Sequence, residues 1–193
     1  MVNKRLPNFW RSSNLVFNRL LENEIAEAQQ LYSSSRYMNQ WDGLEYDPKH
    51  IEHCFFYGDI PPEGEKENYR IFTIRQEDRE EIIGILSVYH GYPTFDSVYI
   101  TFLYIGTELQ GKGFGKETEA QLCKEIIKLG FEHIRVNIAI KNWQAIRFWT
   151  VAGFNGISGI YGDKVHSEDT FANIELMKSL NMRNIYQEFS ESR

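Results

Sequence analysis

Cysteine is almost missing from this chain. Cys54 and Cys123 are the only two in 193 residues, and they stand apart with no paired spacing and no His/Cys group beside them. A disulfide framework and a thiolate metal site are thereby excluded, no metal is expected, and buried reduced thiols are. Long apolar runs are absent too: none approaches the length of a membrane span. Met1 to Asn14 carries Lys4 and Arg5 without an apolar segment behind them, so it does not read as a secretory signal. The expected compartment is the cytoplasm, with no membrane partner. Positive charge is scarce: 21 Lys and Arg against 27 Asp and Glu leave a net charge of −6, with no basic stripe. Nucleic acid is therefore not an expected partner. A mildly acidic surface favours encounter with cations.

What is present is ordinary for a globular domain, with 42% hydrophobic and 25% charged residues; aromatics, at 15%, are abundant enough to line a groove. There is no internal repeat and no low-complexity linker. We read 1–193 as one domain, with its core at 14–178 and the segments 1–13 and 181–193 peripheral. Asn14–Leu20 reads as a strand and Glu22–Ser33, with Ile25, Ala28 and Leu31 in period, as a helix. Ser33–Tyr46 is a loop rich in aromatics. Asp47 as N-cap and Pro48 as first residue start a helix to about Tyr57, and Asp59–Asn68 is a surface loop. Strands follow at Tyr69–Arg75 and Glu81–Tyr89 around the turn Gln76–Arg79, then at Ser97–Ile105. A helix at Glu117–Leu129 closed by Gly130, a strand at Glu132–Ile140, a helix at Asn142–Ala152 and a last strand at Phe171–Lys178 complete the list. Phe154–Thr170 gives few signals, and the tail Asn181–Arg193 reads as a short helix or disorder. This order makes a mixed α/β sheet covered by helices.

The segment Gln110-Gly111-Lys112-Gly113-Phe114-Gly115-Lys116 lies between a strand and a helix. Three glycines in five residues let a backbone turn approach a ligand closely. The helix start behind them offers unpaired N–H groups and a positive dipole end, which suits a pyrophosphate. A Walker A loop is disfavoured because Glu117 follows Lys116, and the dinucleotide fingerprint fails because Lys116 stands where its third glycine belongs. Downstream, Asn142 can N-cap a helix in which Ala145, Phe148, Trp149 and Ala152 share one face, with Gly153 as its stop and Phe154 packing back.

The order Gln110-x-x-Gly113-x-Gly115 resembles the acyl-CoA-binding loop of the GCN5-related N-acetyltransferases. Asn142, Ala145, Phe148, Gly153 and Phe154 match that family's second motif. The resemblance covers roughly residues 14–178. It implies a central mixed sheet of six or seven strands in which two neighbours, here ending at Ile105 and Ile140, splay apart around the pantetheine arm of acetyl-CoA. Leu103, Tyr104 and Ile105 would offer main chain to pantetheine. Gln110, Gly111, Lys112, Gly113, Phe114, Gly115 and Lys116 would hold the pyrophosphate, and Asn142 and Trp149 would border the cofactor arm.

The implied reaction is transfer of an acetyl group to a primary amine, on a small molecule, by direct attack in a ternary complex. Acetylation of a protein N-terminus or lysine is the alternative, as is an acyl-CoA-binding sensor without chemistry. Many relatives carry a tyrosine acid where Trp149 stands, and an indole cannot take that role. Tyr104, Tyr161 or a water are left as candidate acids, unless the thiolate departs unprotonated. For a base, relatives that place a Glu eleven residues before the motif Gln have Tyr99 as their counterpart here. Asp96, Glu108 and His90 are the other groups at hand. Tyr37, Trp41, Asp42, Glu45 and Tyr46 form an aromatic and acidic cluster able to receive a cationic acceptor. A homodimer is common in relatives.

Overall fold

A computed structural model describes residues 4–180. The tail Asn181–Arg193, read above as a short helix or disorder, lies outside the described residues. Eight strands form one sheet: β1 (Phe9–Arg11), β2 (Leu15–Arg19), β3 (Tyr69–Gln76), β4 (Gly84–His90), β5 (Ser97–Ile105), β6 (His133–Ala139), β7 (Gly156–Gly162) and β8 (Ala172–Ser179). Their order is β1-β2-β3-β4-β5-β6-β8-β7, and only β5 and β6 run parallel. Five α-helices accompany them: α1 (Ile25–Ser33), α2 (Asn39–Asp42), α3 (His50–Phe56), α4 (Phe114–Lys128) and α5 (Trp143–Val151).

Period-2 alternation splits the interior into two cores, one on each face of the sheet. Phe17, Phe72, Leu86 and Val98 share one core with Leu122 and Ile126 of α4 and Trp149 of α5. Ile71, Ile85, Tyr89 and Tyr99 share the other with Ala28 of α1 and Ile51 and Cys54 of α3.

Two edge strands, β1 and β7, go beyond the six placed along the sequence. β1 lies in the segment read as peripheral, yet Leu6 and Trp10 are buried, and the Trp10 ring stacks on Phe17 with centroids 3.8 Å apart. A three-residue strand has too few positions to show a period. β7 lies in the glycine-rich stretch of few signals; Ile157 and Ile160 are exposed on this outermost strand, so burial imposes no alternation on it. The helix expected from Asp47 and Pro48 begins at His50 instead. The Asp47 carboxylate still serves its start, accepting the Lys49 N–H at 2.8 Å.

The two glycine stops behave as read. After α4, Gly130 has φ +77°, its N–H donates to the Ile127 carbonyl and that of Phe131 to the Ile126 carbonyl. Gly153 (φ +93°) does the same after α5, with Phe154 donating to Trp149 and its ring 4.8 Å from the indole. Both are Schellman closures, in which a left-handed residue satisfies the last helical carbonyls.

Glu117, in the first turn of α4, ties that helix start to the β1–β2 turn. Its carboxylate accepts from the Ser12 hydroxyl at 2.6 Å, the Asn14 N–H at 2.8 Å and the Asn14 side-chain amide at 3.0 Å. Burial alone would raise this carboxyl, but the bonds from Ser12 and Asn14 outweigh it and hold it below its ordinary value. A depressed carboxyl stabilises the fold above its unfolded pKa and loses that contribution as pH falls through the folded one. Glu117→Gln should therefore melt lower than the wild type at pH 7. The gap should narrow below about pH 4, as thermal melts at pH 7 and pH 3 would read.

Candidate active site

The site begins with a break in sheet register. Along β5 the side chains facing α4 are Val98 and Ile100, then Leu103 and Ile105, while Tyr99 and Phe102 face the α1–α3 side. The parity changes at Thr101. Pairing with β4 shows the same: Ser87 opposes Phe102 and Val88 opposes Ile100, leaving Thr101 as the extra residue of a bulge. The Thr101 hydroxyl lies 2.7 Å from that of Ser87. Parallel pairing of β5 with β6 stops at Ile100 and Val136. From there β5 follows β4, while Asn137, Ile138 and Ala139 follow β8.

The diverging strands open a cleft of about 650 Å³. Thr101–Leu103 form one wall and Val136–Ala139 the other, with Asn142 and Trp149 of the α5 motif at its side. The Asn142 side-chain oxygen caps α5 by accepting the Ala145 N–H at 3.0 Å. Its amide nitrogen remains as the polar atom it can offer to a ligand. Trp149 is 5% exposed and held edge-on between Phe148 and Phe154.

At the end of β5 the glycine loop turns into α4. Gly111 (φ +75°) and Gly113 (φ +92°) are left-handed, and a Cβ at either would meet nothing within 4 Å. These glycines are thus required by conformation and leave open space above the loop, while Gly115 is packed against the Phe148 ring, 3.4 Å from where its Cβ would be. The Glu117 N–H reaches the Gly113 carbonyl at 3.0 Å; the N–H groups of Phe114, Gly115 and Lys116 precede the first such bond at this helix end. Lys112 and Lys116 are exposed beside them. An anion of pyrophosphate size fits here, and an extended amide-bearing arm fits the slot between β5 and β6. Gln110 is less free than its motif position suggests, since its side-chain amide donates to the Ile105 carbonyl at 2.8 Å and to the Tyr37 hydroxyl at 3.1 Å.

The aromatic and acidic cluster is divided by the fold. Trp41, Asp42 and Glu45 line the cleft. Tyr37 packs over the glycine loop through Gln110. Tyr46 is already engaged: the Arg36 guanidinium sits 3.6 Å from its ring centroid and the Gln29 side chain donates to its hydroxyl. Its ring face therefore holds a cation of the chain itself and is closed to one from outside.

Of the acid and base candidates, the structure withdraws His90. The ring is 2% exposed, accepts the Leu6 N–H at Nε2 (3.1 Å) and donates from Nδ1 to the Asn68 carbonyl (2.8 Å). Burial pushes it down to about 4, so it is neutral at pH 7 and knits the N-terminal segment to the sheet. Tyr104 is 2% exposed, turned away from the cleft, with its hydroxyl 2.8 Å from that of Ser34; burial raises its phenol above the ordinary value. Tyr161 stands exposed on the edge strand β7, Glu108 on the turn before the loop, and Asp96 against His133 at the start of β5. None of these lines the cleft.

Tyr99, named above as the counterpart of a Glu in relatives, does line it. Tyr99 donates to Glu175 of β8 at 3.1 Å, so a carboxylate reaches this position from two strands away. Arg135 holds the other Glu175 oxygen at 2.8 Å, and the pair is nearly buried. Sequence reading missed Asp59, His50 and Asn137, which face the cleft from a loop, a helix and a strand distant in sequence. No local pattern could have assembled them.

The profile of the Acetyltransferase (GNAT) family matches residues 26–154. The chain belongs to the GNAT acetyltransferase family. Among solved structures it is similar to a probable GNAT acetyltransferase from Chromobacterium violaceum, with a TM-score of 0.72 and 12% identity over 91% of this chain and 88% of that one. A similar likeness joins it to the ribosomal-protein-S18-alanine N-acetyltransferase of Escherichia coli, with a TM-score of 0.63 and 15% identity over 87% and 95% of the two chains. A spermidine N-acetyltransferase chimera from Vibrio cholerae gives a TM-score of 0.64 and 17% identity over 87% and 96%. No curated protein sequence matches the chain. At these identities the neighbours establish the GNAT fold alone. No described helix is long and apolar enough to cross a membrane.

Replacing Gly113 tests the loop. An L-residue at this φ costs about 1–2 kcal/mol. With nothing packed on this position, the free loop can relax away from that φ and leave the melting temperature little changed, so the cost falls on binding: Gly113→Ala should weaken coenzyme A binding about tenfold, measured by titration calorimetry.

Proposed function

We propose that this GNAT protein transfers an acetyl group from acetyl-CoA to the amino group of a small cationic acceptor, by direct attack in a ternary complex. One observation carries the choice of acceptor: four carboxylates, Asp42, Glu45, Asp47 and Asp59, line the cleft, and among the described residues no Lys or Arg does. Aromatic rings from Tyr32, Trp41, Tyr92 and Tyr99 stand among them. Carboxylates beside aromatic faces attract an ammonium twice over, by charge and by the ring quadrupole. The fold leaves this question open, since its neighbours include proteins named for a polyamine and for a ribosomal protein as acceptor.

Acetyl-CoA supplies an activated acyl carbon and a thiolate leaving group. The chain supplies the geometry. The loop from Gly111 to Lys116 offers main-chain N–H groups to a pyrophosphate, and the unpaired edge of β5 after Thr101 offers main chain to the pantetheine amides. Between them the acceptor is held close to the open end of the slot, which turns a bimolecular encounter into a positioned one. The buried Trp149 supplies shape and excludes water. Its indole N–H can donate a hydrogen bond but is far too weak an acid to protonate the departing thiolate.

A panel of linear diamines, polyamines, aminoglycosides and peptides with free N-termini or lysines, assayed with acetyl-CoA by thiol release, tests this reading. Turnover is expected with the small polycations, with KM rising as salt screens the acidic cleft. Turnover confined to peptides would favour a protein acceptor. Binding of coenzyme A without turnover of any amine would favour a sensor.

A further inference from the structure

The residues at the bulge point to a chemical role for a carboxylate that the sequence places in an ordinary surface loop. Asp59 follows α3 and the left-handed Gly58 (φ +80°), and it begins the strap Asp59–Pro62 over the cleft. Its carboxyl faces the Thr101 hydroxyl and the His50 ring. Of the four cleft carboxylates, Asp59 is the one set against Thr101, where the sheet parts. His50 is fixed beside it by stacking on Tyr32 at 4.3 Å and by a contact of 3.6 Å between its Nε2 and the Cys54 sulfur. Behind them the buried Tyr69 hydroxyl lies near Ser87 and Cys54 without a partner at hydrogen-bonding distance.

We propose that Asp59 is the catalytic base that takes the proton from the acceptor ammonium. The role rests on the N-acetyltransferase reading above. An alkylammonium has a pKa of roughly 10.4 and carries no free electron pair at neutral pH. The carboxylate first pairs with the ammonium and then accepts one of its protons. The freed pair on nitrogen attacks the thioester carbon, a C–N bond forms and the C–S bond breaks with its electrons on sulfur. The second nitrogen proton ends on the thiolate, giving the amide and the coenzyme A thiol, and Asp59 returns its own proton to water.

The surroundings favour this exchange. Asp59 is reachable by solvent at the mouth of the cleft, yet the protein around it raises its carboxyl above an ordinary aspartate, and the Thr101 hydroxyl opposes that rise in part. A weaker acid is a stronger base toward an ammonium. His50 is itself pushed down by burial despite the opposing charges of Asp59 and Asp47, so it is neutral and adds no competing cation. The titratable groups around Asp59 are His50 and Cys54 of α3 and Tyr69 of β3, and neither thiol nor phenol ionises near neutrality because burial raises both.

Asp59→Asn and Asp59→Glu test the role, using whichever diamine the wild type acetylates best. The Asn variant should lose about a hundredfold in kcat, with the calorimetric Kd for coenzyme A unchanged. Its deficit should shrink as pH rises from 7 toward 10, where the amine arrives deprotonated by itself. The Glu variant should keep more activity than Asn. In the wild type without any acyl donor, the Asp59 carboxyl signal in ¹³C NMR should titrate above an ordinary aspartate and move down when 1,4-diaminobutane binds. A kcat within threefold of wild type for Asp59→Asn, a deficit that is the same at every pH, or a carboxyl signal indifferent to the diamine would overturn the proposal. A wild type that acetylates no amine overturns the acetyltransferase reading itself, a separate result visible before any variant is made.

Discussion

The extra residue at Thr101 governs the layout of this molecule. A parallel strand pair joined along its whole length would bury the β5 edge in the β5–β6 ladder and leave no slot. Pairing instead ends at Ile100 and Val136, and the main-chain groups of the outer half of β5 are left for something other than β6. A bulge costs ladder hydrogen bonds and increases local twist, so it persists where the surrounding structure compensates. Here the compensation is visible: β4 continues to pair with β5 up to Ile105, β8 continues to pair with β6 up to Ala139, and Thr101 itself bonds Ser87. Donor slot, acceptor cleft and the Asp59 carboxylate all converge on this point.

Charge is distributed in keeping with that layout. The glycine loop at one end of the slot presents helix N–H groups flanked by Lys112 and Lys116, a place for phosphates. The other side of the slot opens among Asp42, Glu45, Asp47 and Asp59, a place for an ammonium. On the proposed reading, an anionic donor and a cationic acceptor would be drawn to opposite sides of one gap, and the reacting groups would meet where the two fields adjoin. Among the described residues no Lys or Arg lines the cleft, and several arginines have partners within the fold. Arg36 is committed to Tyr46, Arg135 to Glu175 and Arg75 to Glu24.

How far the sequence could be read follows from which features are local. Ser97–Ile105 is readable as a strand because it is a buried apolar run, and α5 because Asn142 caps it and Gly153 closes it within a short stretch. The donor loop was readable because three glycines and a helix start are consecutive. The acceptor side resisted reading because its parts meet only in space: Asp59 from a loop, His50 from α3, Tyr99 from β5 and Glu175 from β8. The expectation for His90 went astray because composition cannot reveal that Leu6 and Asn68 would consume both ring nitrogens. Tyr46 misled for a related reason, because no pattern in Ser33–Tyr46 shows that Arg36 of the same segment would lie on its ring.

The central claim is that the parting of β5 from β6 receives the acyl donor. Backbone hydrogen exchange with and without acetyl-CoA measures this directly, because a bound arm would take up the exposed main-chain groups of that edge. The account predicts slowed exchange confined to Thr101–Ile105 and to Gly111–Glu117, with the β1–β2 edge unaffected. Protection absent from both segments while acetyl-CoA is bound, or concentrated on the opposite face of the sheet, would contradict it.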